Sequence, residues 1–276
     1  VLPEEKKISY ISSGEFDFPV GTIFIKTFYY PADFRFSEKN WQIIETRLLV
    51  HTPEGWTGYP YVWNSEQTDA ILEIAGDRKN ISWIDKQGKS RNVNYLVPNF
   101  NMCKGCHVID KNFQPLGPKP RLLNCDNLYN GAHKNQLEQM LELDMVVGIP
   151  PVKAIPVTAE WGSEHYSLND RARAYLDVNC AHCHNSKGPA NTSGLFLEYH
   201  ENDVKKLGVF KPPVAAGRGS GNLDFNIVPG KPDESIFIYR MESTDPGILM
   251  PESGRKMVHK EGVALIKEWI ESLKEN

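Results

Sequence analysis

A chain of 276 residues, 40% hydrophobic, 24% charged and 11% aromatic, has the composition of a folded protein and enough length for two cores. A formal net charge of -4 and a pI near 6.1 exclude a basic footprint for nucleic acid and a polybasic patch for membrane surfaces, leaving a small molecule, a cofactor or a protein as partner. No apolar run reaches the roughly 18 residues of a membrane span. Residues 3–7 are polar where a signal region would be apolar, so a removed leader or a lipid anchor lying ahead of Val1 is expected.

Up to residue 98 the pattern is one of short alternating or β-branched runs. Strands are expected at 22–29, 44–51, 57–63 and 81–84, with a turn at 85–89 into a further strand at 91–96. Several strands at this spacing predict a small sandwich or barrel over residues 1–98. Tyr59, Tyr61 and Trp63 alternate with other residues and so share one strand face, which is expected to pack a core or to wall a ligand.

Residues 99–156 open without a helical period and reach Cys103-Lys104-Gly105-Cys106-His107. Two thiols three residues apart, followed at once by an imidazole, can bond both vinyl groups of one haem while the histidine ligates the iron from below. Cys103 and Cys106 are thus candidate thioether sites and His107 a candidate proximal ligand. A local disulfide is the plain alternative, and a structural zinc site built from Cys103, Cys106, Cys125 and His133 is another. Residues 131–147 read as a helix carrying Leu137, Met140, Leu141 and Met145 on one side. The sixth position of the iron has no evident occupant: Met140 leads, His133, Met145 and His51 follow, and an open position stays in play. Of the five cysteines only Cys125 lies outside a pair, and a lone thiol is expected to be a small buried apolar group.

Residues 157–276 begin with a capping box, Ser167-Leu168-Asn169-Asp170, and an apolar stripe of Ala172, Tyr175, Leu176 and Val178. The helix they predict runs into a second motif, Cys180-Ala181-His182-Cys183-His184, in which Cys180 and Cys183 are thioether candidates and His184 the proximal ligand. One such pentapeptide is rare by chance at these cysteine and histidine frequencies, and two are rarer still. Gly- and Pro-rich stretches at 188–195 and 217–221 can wrap a flat ligand. A helix is expected at 233–241, and Val263, Ile266, Trp269, Ile270 and Leu273 form a stripe for a last helix that packs on the one before Cys180. Met250 is the preferred sixth ligand because it lies in a non-periodic loop between helices; Met241 and Met257 stand behind it.

Residues 167–273 resemble a class I cytochrome c domain: a helix, the C-x-x-C-H motif, Gly188-Pro189, a Met-Pro loop and a closing helix with an aromatic residue. That resemblance implies thioethers at Cys180 and Cys183 and iron ligation by His184 and Met250. The whole chain is similar to a family of exported bacterial di-haem c-type cytochromes of unassigned reaction, through Ile44-Glu45-Thr46-Arg47-Leu48-Leu49, Gly58-Tyr59-Pro60-Tyr61-Val62-Trp63-Asn64, Asn135-Gln136-Leu137 and residues 213–217. In some di-haem thiosulfate-oxidising enzymes a thiolate ligates one iron, which makes ligation of the first iron the lesser alternative for Cys125.

The resulting expectation is an α+β chain: a mostly antiparallel β region at 1–98, a first haem-binding segment at 99–156 and an all-α cytochrome c-type region at 157–276. It would carry two covalently attached haem c groups in the periplasm or another exported bacterial setting. Its role would be to move electrons between a partner such as a dehydrogenase and a terminal acceptor. An electron carrier is favoured over an enzyme; the alternative is a peroxidase or thiosulfate dehydrogenase with catalysis at the first haem.

Overall fold

The computed structural model describes residues 1–252 and 254–274. They divide into two compact units, one made of 1–107 with 112–157, the other of 108–111 with 158 onward.

The first unit is built on an antiparallel sheet in the order Ile23–Pro31, Trp41–Thr52, Gly55–Trp63, Ala70–Leu72. A separate hairpin, Asp77–Ile84 with Ser90–Val97, turns at Asp85, whose carboxylate accepts the N–H groups of Gln87 and Lys89. Ile44 and Val62 of the sheet are buried with Ile81, Trp83, Val93 and Val97 of the hairpin, so two layers enclose one core and no barrel closes. The aromatic face expected to be inward is the other one. Pro60 and Val62 are buried while Tyr59 is exposed, because the small residues on the Gly58 face admit the Phe100 ring, which a Cβ on Gly58 would touch at 3.6 Å.

A second core in this unit joins distant parts of the chain. Ile8, Phe16 and Phe18 pack with Leu137, Met140, Val146 and Ile155. Ile8–Ser9 runs parallel to Val146–Val147 beside them. The helix expected at 131–147 is shorter: Asp126–Tyr129 and Ala132–Asn135 form a hairpin first, and helix occupies only Gln136–Glu142. Asn130 and Gly131, with φ of 49° and 83°, make the two left-handed steps that a tight hairpin turn demands. Asn135 then caps the helix by accepting the Leu137 and Glu138 N–H groups.

In the second unit Ser167 caps the helix Leu168–Asn179, accepting from the Asp170 N–H at 3.1 Å and donating to its carboxylate at 2.7 Å. Helix Lys260–Ser272 buries Val263, Leu265, Ile266, Trp269 and Ile270; the last four make the core with Ala172, Tyr175, Leu176 and Ile238. Trp269 Nε1 donates to Asn169 across that contact at 3.1 Å. The third helix is Ile236–Glu242, preceded by a single turn at Pro232–Glu234. Buried Arg173 donates to the carbonyls of Glu198, Tyr199 and Glu201, tying the loop that follows the second motif back to the helix that precedes it.

The expected all-α haem region does not hold. Helix covers 23% and strand 26% of the residues. Residues 99–156 contain short strands at Asp126–Tyr129, Ala132–Asn135 and Val146–Val147, and the second unit spends most of 180–231 in Gly- and Pro-punctuated loops. Proline and glycine at that density cannot sustain an i to i−4 ladder.

Candidate functional site

The first motif sits at the end of a helix of five residues, Phe100–Lys104, whose N-terminus is capped by Asn99. The Cys103 carbonyl accepts the N–H groups of both Cys106 and His107, at 3.1 and 2.9 Å. This turn folds the five residues of the motif into one tight loop. His107 Nδ1 lies 3.0 Å from the Gln114 carbonyl oxygen, and the Gln114 N–H returns to the His107 carbonyl at 2.9 Å. A carbonyl can only accept, so Nδ1 carries the proton and Nε2 is the lone-pair nitrogen of the neutral ring. Phe113 lies against the imidazole, its ring centre 5.6 Å away, and Phe100 packs edge-on to Phe113.

Beside this motif the sheet supplies a polar network that the sequence pattern does not reveal. Glu45 is fully buried at 0% exposure, yet its carboxylate receives Arg47 through Nε at 2.8 Å and Nη2 at 2.5 Å, and the Tyr95 hydroxyl at 2.6 Å. The Arg47 guanidinium also lies over Phe28, 4.2 Å from the ring centre. Burial, then the hydrogen bond to Glu45, push the Tyr95 phenol well above its ordinary range. Burial raises the Cys103 thiol, with Arg47 opposing and Glu45 assisting, so both charges are felt at its sulfur. Alternation on one strand places Glu45 and Arg47 on a shared face; Tyr95 arrives from the hairpin, 50 residues on.

The second motif repeats the turn. The Cys180 carbonyl accepts from Cys183 at 3.1 Å and from His184 at 2.9 Å. The following chain wraps it: the Ala190 N–H donates to the Cys183 carbonyl at 3.1 Å and the Leu197 N–H to the His184 carbonyl at 2.8 Å. A Cβ on Gly188 would collide with the Cys183 carbonyl, so only glycine allows this close approach. Ser193 Oγ lies 3.3 Å from His184 Nδ1 and donates its own proton to the Ala190 carbonyl at 2.7 Å. It therefore accepts from the imidazole, which again leaves Nε2 with the lone pair. Burial, the Arg240 charge and His182 push His184 down to about 4, so the ring is neutral at physiological pH. Burial and Asp177 push the Cys180 thiol up to about 12.

Met250 follows the helix Ile236–Glu242. Its N–H donates to the Arg240 carbonyl at 3.1 Å, on the turn whose guanidinium is felt at His184, while Arg240 Nε holds the Ile248 carbonyl at 2.8 Å. Met241 packs against the core of this unit and Met257 is exposed. In the first unit Met140 is buried in the cluster of Ile8, Phe16, Phe18 and Leu137, with Met145 on its edge, and that cluster contains no residue of the first motif. His51 stacks on Trp56 at 4.4 Å and holds the Phe18 carbonyl at 2.8 Å. His133 stands on the exposed hairpin opposite Leu128. Cys125, expected to be buried, is exposed, its thiol 3.6 Å from the Leu122 carbonyl. Among the described residues, Cys103, Cys106, Cys125 and His133 are not gathered into a zinc-binding set, and none of the five cysteines is joined in a disulfide.

The donors fit a covalently held haem at both motifs. Each has one thiol that burial holds in the S–H form, Cys103 or Cys180, and an imidazole in the tautomer that offers Nε2, and in the second a glycine lets the wrapping chain close behind them. No helix among the described residues is long and apolar enough to cross a membrane. No family model, curated protein or solved structure matches the chain.

Proposed function

We propose that this chain is an exported carrier of single electrons that holds one haem c at Cys103, Cys106 and His107 and another at Cys180, Cys183 and His184. The observation that carries the reading is the shared geometry of the two pentapeptides: one carbonyl gathers two N–H groups in each, and each Nδ1 is engaged by an oxygen acceptor. A disulfide does not require the second feature, whereas a metal-ligating histidine depends on it for ring orientation and basicity. When bound, haem supplies the one-electron couple; the chain supplies covalent anchoring, axial donors and electrostatics. Thioether attachment adds each S–H across a vinyl double bond and needs no thiolate at rest, in keeping with the raised Cys103 and Cys180 thiols. Met250 is the proposed sixth ligand at the second site. The proposed partners are redox proteins, a dehydrogenase on one side and a terminal acceptor on the other.

Co-expression with a c-type haem maturation system tests the reading. The purified chain should carry two haems that survive denaturing electrophoresis, falling to one in the pair Cys103→Ala/Cys106→Ala and to one in Cys180→Ala/Cys183→Ala. A chain that leaves maturation without covalent haem would end the proposal.

A second reading, catalysis at the first site with the second feeding it electrons, draws on Glu45, Arg47 and Tyr95. A carboxylate, a guanidinium and a phenol held together beside Cys103 are groups that can bind and protonate a small oxidised substrate. A first haem that binds cyanide and turns over peroxide would favour this reading; two low-spin haems inert to both would remove it.

A further inference from the structure

The two imidazoles are held by oxygen acceptors of different kinds. At the first motif the acceptor is a backbone carbonyl, Gln114, at 3.0 Å, in a reciprocal pair closed by the Gln114 N–H at 2.9 Å. At the second it is the Ser193 hydroxyl at 3.3 Å, already donating to the Ala190 carbonyl at 2.7 Å and accepting the Leu195 N–H at 3.2 Å. We infer that Ser193 is a positioning residue that gives His184 a deliberately weak hydrogen-bond acceptor, and that the second site is in consequence the more oxidising of the two. The inference rests on the haem reading above and adds to it an order of potentials and a residue that contributes to it.

The physics runs through the imidazole. A strong acceptor at Nδ1 draws the N–H proton, makes the ring more anionic and favours the ferric state; a long, shared acceptor does so less and leaves the ferrous state relatively better. Fixed charge acts in the same sense. The Arg240 guanidinium is felt at His184 and favours the less positive state, while the cation beside the first motif, Arg47, is neutralised by Glu45 at 2.5 Å. The loop has the means to hold Ser193 in place: a single turn at Asn191–Ser193 ends on Gly194 at φ 62°, and the hydroxyl makes three contacts within this short segment and the motif. Each site exchanges one electron, with no bond made or broken and no proton leaving Ser193.

Redox titration of the fully loaded protein, followed in the visible spectrum, decides the matter. The wild type should show two one-electron steps. Ser193→Ala, which deletes the acceptor, should move only the upper step, and upward. Ser193→Asp, which replaces a weak acceptor by a charged one, should move that same step downward by about 59 mV or more, tenfold in the equilibrium constant of a one-electron couple. Ser193→Thr keeps the hydroxyl and should leave both steps in place. Movement of the lower step, or two fixed steps in variants that retain two haems, would overturn the inference while leaving the haem reading intact. A wild-type chain without haem would remove both.

Discussion

The Tyr175 hydroxyl lies 3.0 Å from His259 Nδ1, and the two rings stack with centres 5.7 Å apart and planes at 27°. Tyr175 belongs to the helix that ends at Cys180 and His259 precedes the last helix, so the pair staples both helices at the end that bears the second motif. Trp161 meets both rings edge-on beside a cavity of 180 Å³. Burial first, then Cys180, push the phenol up from 10.0 to about 12. A raised phenol stabilises the fold fully below the unfolded value, and this contribution is lost as pH rises from 10 to 12, because the unfolded chain ionises first. Tyr175→Phe should lower stability at neutral pH by about 1 kcal/mol and flatten the alkaline decline, both read from urea unfolding midpoints across pH.

Glu45 is expected to be the most sensitive polar residue of the first unit. Replacing it by Ala leaves Arg47 and Tyr95 facing an apolar gap and should destabilise by about 3–5 kcal/mol. The double variant Glu45→Ala/Arg47→Met should lose less than the sum of the single changes, because the stranded charge is gone. Chemical unfolding of the four proteins of the cycle measures this; strict additivity would mean that the network is not coupled.

The methionines should separate by readout. Met250→Ala is expected to abolish the methionine-to-iron absorption band of the loaded protein and to lower the potential of the second site, with haem content unchanged. Met140→Ala, in the core with Leu137 and Phe16, should destabilise by about 2–5 kcal/mol and leave that band and the first haem's spectrum alone. A changed ligand signature at the first haem would return Met140 to the iron.

Gly188→Ala should impair attachment at the second motif selectively. Its Cβ would meet the Cys183 carbonyl and, at 2.8 Å, the Asn185 side-chain amide, so the turn holding His184 must open. Counting haems per chain should show fewer than two, with the loss confined to the peptide containing Cys180.

What could be read from the residues alone follows from how local the signal is. Ser167 with Asp170, and the stripe from Val263 to Ile270, are contained in single helices and appear as expected. The long strands do too, since β-branched, aromatic and other apolar residues recur among polar ones across the eight residues or more of Trp41–Thr52 and Ser90–Val97. Residues 131–135, expected to be helical, pair as a hairpin instead: Asn130-Gly131 is a hairpin signal that the helical spacing of the leucines and methionines after it masks. The inverted aromatic face was hidden because its inward partner is a ring, Phe100, that enters from another element to lie on Gly58. In the candidate sites the cysteines and histidines are adjacent in sequence and could be named, whereas Ser193 is one hydroxyl among many. Glu45 depends on a tyrosine 50 residues away.

Ile8–Ser9 lies in parallel register with Val146–Val147, a pairing that spans nearly the whole first unit. Synthesis proceeds from the other end, so for most of its emergence this unit lacks the strand that completes it, and closing so long a loop is slow. Cys103 and Cys106 are made well before that strand. An enzyme that meets them while the chain is still emerging meets a unit without that strand, and the arrival of residue 146 ends that interval.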